Sequence, residues 1–439
     1  MAAMSPLLLL PFFGEALSVI VQTGLTVLAV VWALMEPAVE PGEMPHGARL
    51  RLTENLAHDR LLWWWAAVVG YLLLCTLNTG VGYAYDIELQ EWRMASARWS
   101  ALPSSVAGFG LSPLTISVTA AVASLAVRNS FDRRSLSSFV LSSAALSGAA
   151  GVLALFRVSG SAVDMCAFAP VFGLMLLVAA VAVNDVFTAR AGGFLPLLIV
   201  ASIGNLAGLV RYATLPVTAV FLTLWTGLSL YSLIRLRGRS VFFGGVALPL
   251  VWIVVLLTAG FLLETLSPGL LARRYADCDA GRWFEPSAVA SGKMIGECAR
   301  SAWIDSPWIG RGLGTLESIV RAYLPPEGWQ VITKGGYAVG NSWWRLLAEG
   351  GIVLSSLLAG ATLYPIVEGV KSALSRFRST GLTLPEPLSL LGIFSLLAVV
   401  LIAFFEPAAL SPGTLAVMLT SLAVSARLER ILTGRKDNG

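Results

Sequence analysis

The chain has 439 residues, 56% of them hydrophobic and only 13% charged, with a mean hydropathy of +0.77 and a formal net charge of +4. A soluble domain carries about 25% charged residues, so this composition excludes an ordinary soluble enzyme and points to an all-α polytopic membrane protein. Alternating segments of about ten residues, the mark of an outer-membrane barrel, are absent. Lys and Arg cluster beside apolar runs, where they read as topology signals rather than as a nucleic-acid footprint.

Apolar runs of about 20 residues, long enough to span a bilayer, fall near 6–35, 61–79, 110–127, 136–156, 165–183, 193–210, 215–234, 241–263, 346–367, 388–405 and 409–425. This predicts eleven transmembrane helices, or twelve if the first run folds as a tight hairpin around Gly14 and Glu15. That first run is too long for a cleavable signal and lacks a small-residue cleavage site.

Arg49, Arg51 and Arg60 lie between runs one and two, and Arg128, Arg133 and Arg134 between three and four. Arg190, then Arg235, Arg237 and Arg239, then Lys371, Arg376 and Arg378 continue the pattern, and Arg427, Arg430, Arg435 and Lys436 form the tail. Every second loop is basic, so those loops are expected to face the cytoplasm. The segments 80–109 and 264–345 then share the opposite face. The chain divides into a helical bundle over 1–263, a large outer loop over 264–345 between the eighth and ninth runs, and C-terminal helices with a tail over 346–439.

The outer loop is rich in both charge signs. Its cations run against the topology trend, which suggests an anion-binding surface as well as a solvated cap. Cys278 and Cys298 fall in this loop, and in an oxidising compartment they are expected to form a disulfide. The chain's two histidines, His46 and His58, share one short loop elsewhere, so no histidine-based metal site is expected.

Four places in the chain can carry chemistry. Arg211 ends the sixth run, where it either snorkels to headgroups or holds a phosphate with its planar fork. In DSPWIGRGLGT, Gly310, Gly312 and Gly314 surround Arg311. Glycines at alternate positions permit positive φ, so consecutive N–H groups can converge on an anion, or the stretch is a tight turn docking the loop on the bundle. In GNSWWRLLAEGG, Asn341 or Ser342 can cap the ninth apolar helix, whose N-terminus carries partial positive charge. Glu349 sits within that span, which marks it as a functional residue or as the ion-pair partner of Arg345 one turn earlier.

Together these residues resemble the O-antigen ligase and O-antigen polymerase superfamily, which includes exopolysaccharide polymerases. Pro307, Gly310, Gly312 and Gly314 match the family's glycine-rich turn. Asn341, Leu346 or Leu347, Glu349 and Gly351 match the segment where the loop re-enters the membrane, and Arg211 matches an earlier arginine. The resemblance covers roughly residues 190–370. Two features depart from it: Gly340 stands where the family has histidine, and the arginine expected before Pro307 is matched only by Lys293 or, in a shifted alignment, Arg282.

The resemblance implies transfer of a glycan from an undecaprenyl pyrophosphate carrier to an acceptor sugar hydroxyl at the outer face of the bacterial inner membrane, with no metal or other cofactor. It implies Arg211, with Lys293 or Arg282, and the helix end at Asn341 as groups that stabilise the departing pyrophosphate. Glu349, Glu317, Glu285 and Asp305 remain alternatives for a base. The missing histidine favours a polysaccharide polymerase, served by a chain-length regulator, over an O-antigen ligase passing glycan to lipid A core. A lipid-linked glycan flippase or transporter, and a non-catalytic partner, are the alternatives from other classes.

Overall fold

In the computed structural model, residues 60–80, 83–86, 91–94, 102–106, 169–189, 194–237, 246–279, 286–324, 342–380, 386–404 and 412–434 are described, with scattered positions in 114–152 and at 328. The helices are α1 (Arg60–Leu77), α2 (Ala169–Ala189), α3 (Leu195–Tyr212), α4 (Leu215–Arg237), α5 (Leu248–Leu266), α6 (Leu270–Asp279), α7 (Pro286–Asp305), α8 (Leu316–Tyr323), α9 (Ser342–Thr380), α10 (Pro387–Ile402) and α11 (Pro412–Gly434). Five of them, α1, α3, α4, α5 and α9, are long and apolar enough to cross a membrane. Eight of the described helices, α1 to α5 and α9 to α11, fall on the second and the fifth to eleventh apolar runs, while α6 to α8 lie between the eighth and ninth. The first run lies outside the described residues, and the third and fourth are described only at scattered positions, so the count of eleven or twelve rests on sequence.

Burial explains the arrangement. In α2, Leu174 to Val183 are buried without a break, as expected for a helix apolar on every side. It is the central post, packed by α3, α4, α10 and α11. Helix α5 is apolar on both faces but buries only one: Leu248, Val251, Trp252, Val255, Ala259 and Leu263 face the bundle, while Leu250, Ile253, Leu256, Leu257 and Phe261 stay exposed. That outer stripe is apolar and exposed, as suits a helix long and apolar enough to cross a membrane. Small residues bring backbones together: a Cβ on Gly360 of α9 would overlap the Trp64 ring of α1, and one on Gly148 would strike the backbone of Ala201 in α3.

The described residues are mostly helical, with two short strand pairs beside the helices: β1 (Thr79–Gly80) pairs in parallel with β4 (Ser105–Val106), and β2 (Tyr83–Asp86) pairs antiparallel with β3 (Glu91–Met94). Within the outer segment 264–345 the chain forms α6, α7 and α8. Helix α7 is amphipathic: Ser291, Ile295, Cys298, Ala299 and Ala302 are buried, at helical spacing, and α7 packs on both α8 and α9.

Polar contacts order the ends of the bundle. The Ser342 N–H at the start of α9 donates to the Ala403 carbonyl at the end of α10, 2.9 Å away. Arg274 of α6 donates from Nη2 to the Ala213 carbonyl at 2.7 Å and the Val210 carbonyl at 3.4 Å, binding the C-terminus of α3. At the other extremity Arg235, near the end of α4, lies 3.6 Å from Glu386 ahead of α10. The segments 80–109 and 264–345, expected to share a face, are joined: Leu313 N–H donates to Ser104 O and Val106 N–H to Leu313 O, each at 2.9 Å.

The expected Cys278–Cys298 disulfide needs correcting. Cys298 is a free thiol, buried in a small cluster with Ile295, Val320 and Leu324; the Cys278 side chain lies outside the described residues. Burial, reinforced by Glu297, pushes the Cys298 thiol above its usual range, which disfavours the reactive thiolate. Non-reduced and reduced protein should therefore migrate identically. Maleimide should label Cys298 slowly until the protein is denatured. A thiol that reacts only after reduction would contradict this packing.

Candidate functional site

The site is built around a break in α9. At Gly351 the backbone turns to φ 65° and ψ −170°, inside an otherwise continuous helix. Such a break removes the i→i−4 bonds that would carry Ile352 N–H to Ala348 O and Val353 N–H to Glu349 O. In apolar surroundings an unpaired peptide group costs several kcal/mol.

The glycine turn supplies all four missing partners. Arg311 N–H donates to Ala348 O at 2.7 Å and Gly312 N–H to Glu349 O at 3.0 Å. In return Ile352 N–H donates to Pro307 O at 2.9 Å and Val353 N–H to Trp308 O at 3.0 Å. The two backbones touch directly. A Cβ built on Gly351 would lie 2.3 Å from Trp308 O, and one on Gly310 would lie 2.5 Å from Glu349 C. Gly310, Gly312 and Gly314 have φ of 69°, 107° and 79°, in the left-handed region that a side chain disfavours.

Glu349 completes the interlock with its side chain. Its Oε1 accepts from Leu316 N–H, the first residue of α8, at 3.2 Å, and its carboxylate also takes the Gly314 N–H. Thr315 precedes α8 but turns its hydroxyl back to Gly312 O at 2.6 Å, so the helix N-terminus is capped by Glu349 instead. Arg345 lies 3.5 Å from the same carboxylate, one turn earlier in α9; the Arg345 side chain is 37% exposed and that of Glu349 7%. The N–H groups expected to converge on one anion do not do so: those of Gly310, Arg311 and Gly312 go to the Ser306, Ala348 and Glu349 carbonyls, and that of Gly314 goes to the Glu349 carboxylate. The main chain of this turn clamps α9. The geometry gives Glu349 the ion-pair role of the two foreseen for it, and it gives Arg345 a salt bridge.

Tyr71 of α1, nine-tenths buried, places its hydroxyl 3.1 Å from Ile309 O and 2.9 Å from Gly350 O, at the seam between turn and helix. Below it, Ser105 Oγ donates to Cys75 O at 2.9 Å, and Asn78 Nδ2 to Leu102 O and Pro103 O at 3.2 and 3.1 Å. Sequence reasoning missed Tyr71, Asn78, Arg274 and Tyr323. A tyrosine inside an apolar run was a readable signal, since a buried phenol needs a partner; main-chain acceptors such as Ser104 O leave none.

The other expected residues lie apart from the interlock. Arg211 ends α3 with its guanidinium carbon 5.4 Å from the Tyr212 ring centroid, and Arg274 of α6 binds the Val210 and Ala213 carbonyls on either side of it in the chain. Lys293 is exposed on the face of α7 that carries Glu297 and Arg300, opposite the face packed on α9. Arg282, Glu285 and Asn341 lie outside the described residues, as does the side chain of Glu317. At the end of α7, Arg311 Nη2 donates to Asp305 Oδ2 at 3.1 Å and to the Tyr323 hydroxyl at 2.9 Å, and that hydroxyl donates to Asp305. Among the described residues no group of three His, Cys, Asp or Glu could hold a metal ion.

No protein family, no curated protein and no solved structure matches the chain.

Gly351→Ala and Gly310→Ala should each destabilise the protein by about 2–4 kcal/mol, combining left-handed strain with backbone overlap. Gly70→Ala, in the middle of α1 with nothing within 4 Å of a new Cβ, should be neutral or stabilising by up to about 1 kcal/mol. Thermal unfolding in detergent checks the contrast, and equal effects at the three positions would contradict it. Glu349→Gln should lower stability by about 1–3 kcal/mol, because it weakens the bonds to α8 and leaves Arg345 unpaired.

Proposed function

We propose that this protein is a bacterial inner-membrane glycosyltransferase of the O-antigen polymerase and ligase kind, acting as a polysaccharide polymerase. It moves a glycan from undecaprenyl pyrophosphate to an acceptor sugar hydroxyl at the periplasmic face. The observation that supports the reading is a helix break clamped by a glycine turn within an apolar bundle, with the Arg311 and Arg345 guanidinium groups at the clamp and Arg211 on the separate end of α3. A lipid diphosphate carrier needs both halves of this: a greasy flank for its tail and fixed cations for its headgroup at the bilayer surface.

In the reaction the acceptor oxygen attacks the anomeric carbon, the bond from that carbon to the pyrophosphate oxygen breaks, and the carrier diphosphate leaves with the electron pair. Negative charge grows on the leaving group, and groups held in place beforehand stabilise it at no reorganisation cost. Arg211 is the residue assigned to the pyrophosphate. Arg274 holds the end of α3 that carries Arg211. Lys293 and Arg282 remain the reserve cations of this reading. The hydroxyl proton passes to Asp305 at the end of α7, whose side chain is 48% exposed although Arg311 and Tyr323 bind it, whereas that of Glu349 is 7% exposed. A diphosphate is a good leaving group, so a weak base suffices.

The test is the surface polysaccharide of a deletion strain. Loss of long chains, with single repeat units still attached, is the result expected of a polymerase. Long chains stranded on the lipid carrier would make the protein a ligase, and unchanged polysaccharide would overturn the transferase reading. Arg211→Ala should reduce chain extension by about a hundredfold or more, the effect of removing one fixed donor to developing charge, while the protein still inserts and folds. Near-normal extension by that variant would remove Arg211 from the reaction.

A further inference from the structure

We infer that the turn joining α7 to the interlock is a saccharide-binding platform for a neutral glycan, formed by Asp305, Arg311 and Tyr323 with the indole of Trp308. Its biological use as the acceptor subsite rests on the transferase reading, but the binding itself does not.

Three observations carry it. The first is charge. Arg311 is paired with Asp305 at 3.1 Å and with the Tyr323 hydroxyl at 2.9 Å, and that hydroxyl in turn donates to Asp305. A guanidinium with a carboxylate already on it attracts a free phosphate or acidic headgroup poorly. It still offers planar N–H donors beside carboxylate acceptors and a phenol, the mixed set that vicinal hydroxyls can bridge.

The second is exposure. The Asp305 side chain is 48% exposed and that of Arg311 26%, so the cluster is open to a ligand although it also staples the last residue of α7 to the last residue of α8. The third is Trp308, which is 68% exposed beside Ile304 at 58%. It sits at the apex of a closed turn: Gly310 N–H donates to Ser306 O at 3.1 Å, and Ser306 Oγ to Gly310 O at 2.8 Å. Its carbonyl is fixed by Val353 N–H at 3.0 Å, so the indole is presented from a rigid backbone. An indole on a fixed turn gives a flat apolar face with little ordering cost, suited to the C–H face of a pyranose ring, while the adjoining polar cluster takes the hydroxyls.

The experiment uses the full chain in lipid nanodiscs, with saturation-transfer difference NMR from the protein to maltotetraose and to chitotetraose, each at millimolar concentration. The platform predicts transfer to ring protons from at least one of these sugars, undiminished by equimolar inorganic pyrophosphate. Trp308→Ala should reduce the signal about threefold or more, the scale of a lost aromatic contact, and Trp308→Phe should retain most of it. Asp305→Asn should also reduce it. Because Trp308 is exposed, its replacement leaves the fold intact, which the unchanged thermal transition of Trp308→Ala verifies.

Absence of transfer from both sugars, or a signal unaltered by Trp308→Ala, overturns the proposal. So does competition by pyrophosphate, which would make the cluster an anion site. If neither sugar binds and Trp308→Ala loses quenching by headgroup-brominated lipid, the indole is an interfacial anchor and the proposal likewise falls. Sugar binding in a protein whose deletion leaves surface polysaccharide unchanged keeps the platform and sinks the transferase. Chain extension unaffected by a Trp308→Ala variant that has lost sugar binding keeps the transferase and overturns the platform's use as the acceptor subsite.

Discussion

Four main-chain hydrogen bonds between a turn and a broken helix hold this end of the molecule together. A break in an apolar helix exposes two carbonyls and two N–H groups where water is scarce, and such groups need partners. Residues 307–312 provide them, two donors and two acceptors in matching order. The match requires the backbones to touch, so both sides are glycine where they meet, at Gly310 and Gly351. Three further elements are fastened at or beside that seam: Tyr71 from α1, the β1–β4 pair through Leu313, and α8 through the Glu349 carboxylate.

This arrangement explains why polar residues occur where they do in so apolar a chain. Glu349 replaces the missing side-chain cap of α8, because Thr315 is turned away onto Gly312. Its charge is answered by Arg345 and by two peptide N–H groups, so burial is matched by partners, as a buried ion requires. An acidic residue in a span is read by default as functional; here its first role is to align α8 with α9. The same rigidity serves the neighbouring surface, since Asp305, Trp308 and Arg311 all lie on or beside a turn whose backbone is pinned at both edges.

The membrane class, the helices of the central and C-terminal parts and the shared face of residues 80–109 and 264–345 were legible from hydropathy and basic loops. So was the tight-turn alternative for Gly310, Gly312 and Gly314, because alternate glycines carry a specific conformational meaning. The helices inside 264–345 were hidden by their charge: α7 buries only a narrow stripe, much of it Ser, Ala and Cys. The disulfide expectation failed for the same reason, since spacing says nothing of which way a helix turns a thiol. Main-chain acceptors such as Ser104 O and Ala348 O carry no sequence signal at all. Arg345 and Glu349 were read as a pair from their i,i+4 spacing, but the third participant, the N-terminus of α8, could only come from coordinates.

If the bundle's polar end does transfer glycans, the interlock separates scaffold from chemistry. The residues bound into the seam set positions, and the side chains of Asp305 and Trp308 beside it stay exposed. Such division lets a site of exposed side chains keep its geometry at a lipid surface. Hydrogen–deuterium exchange of the full chain in nanodiscs tests the seam most directly. Peptides covering 307–316 and 348–354 should exchange as slowly as the helical body of α9. Fast exchange in both, with the remainder of α9 protected, would contradict the account.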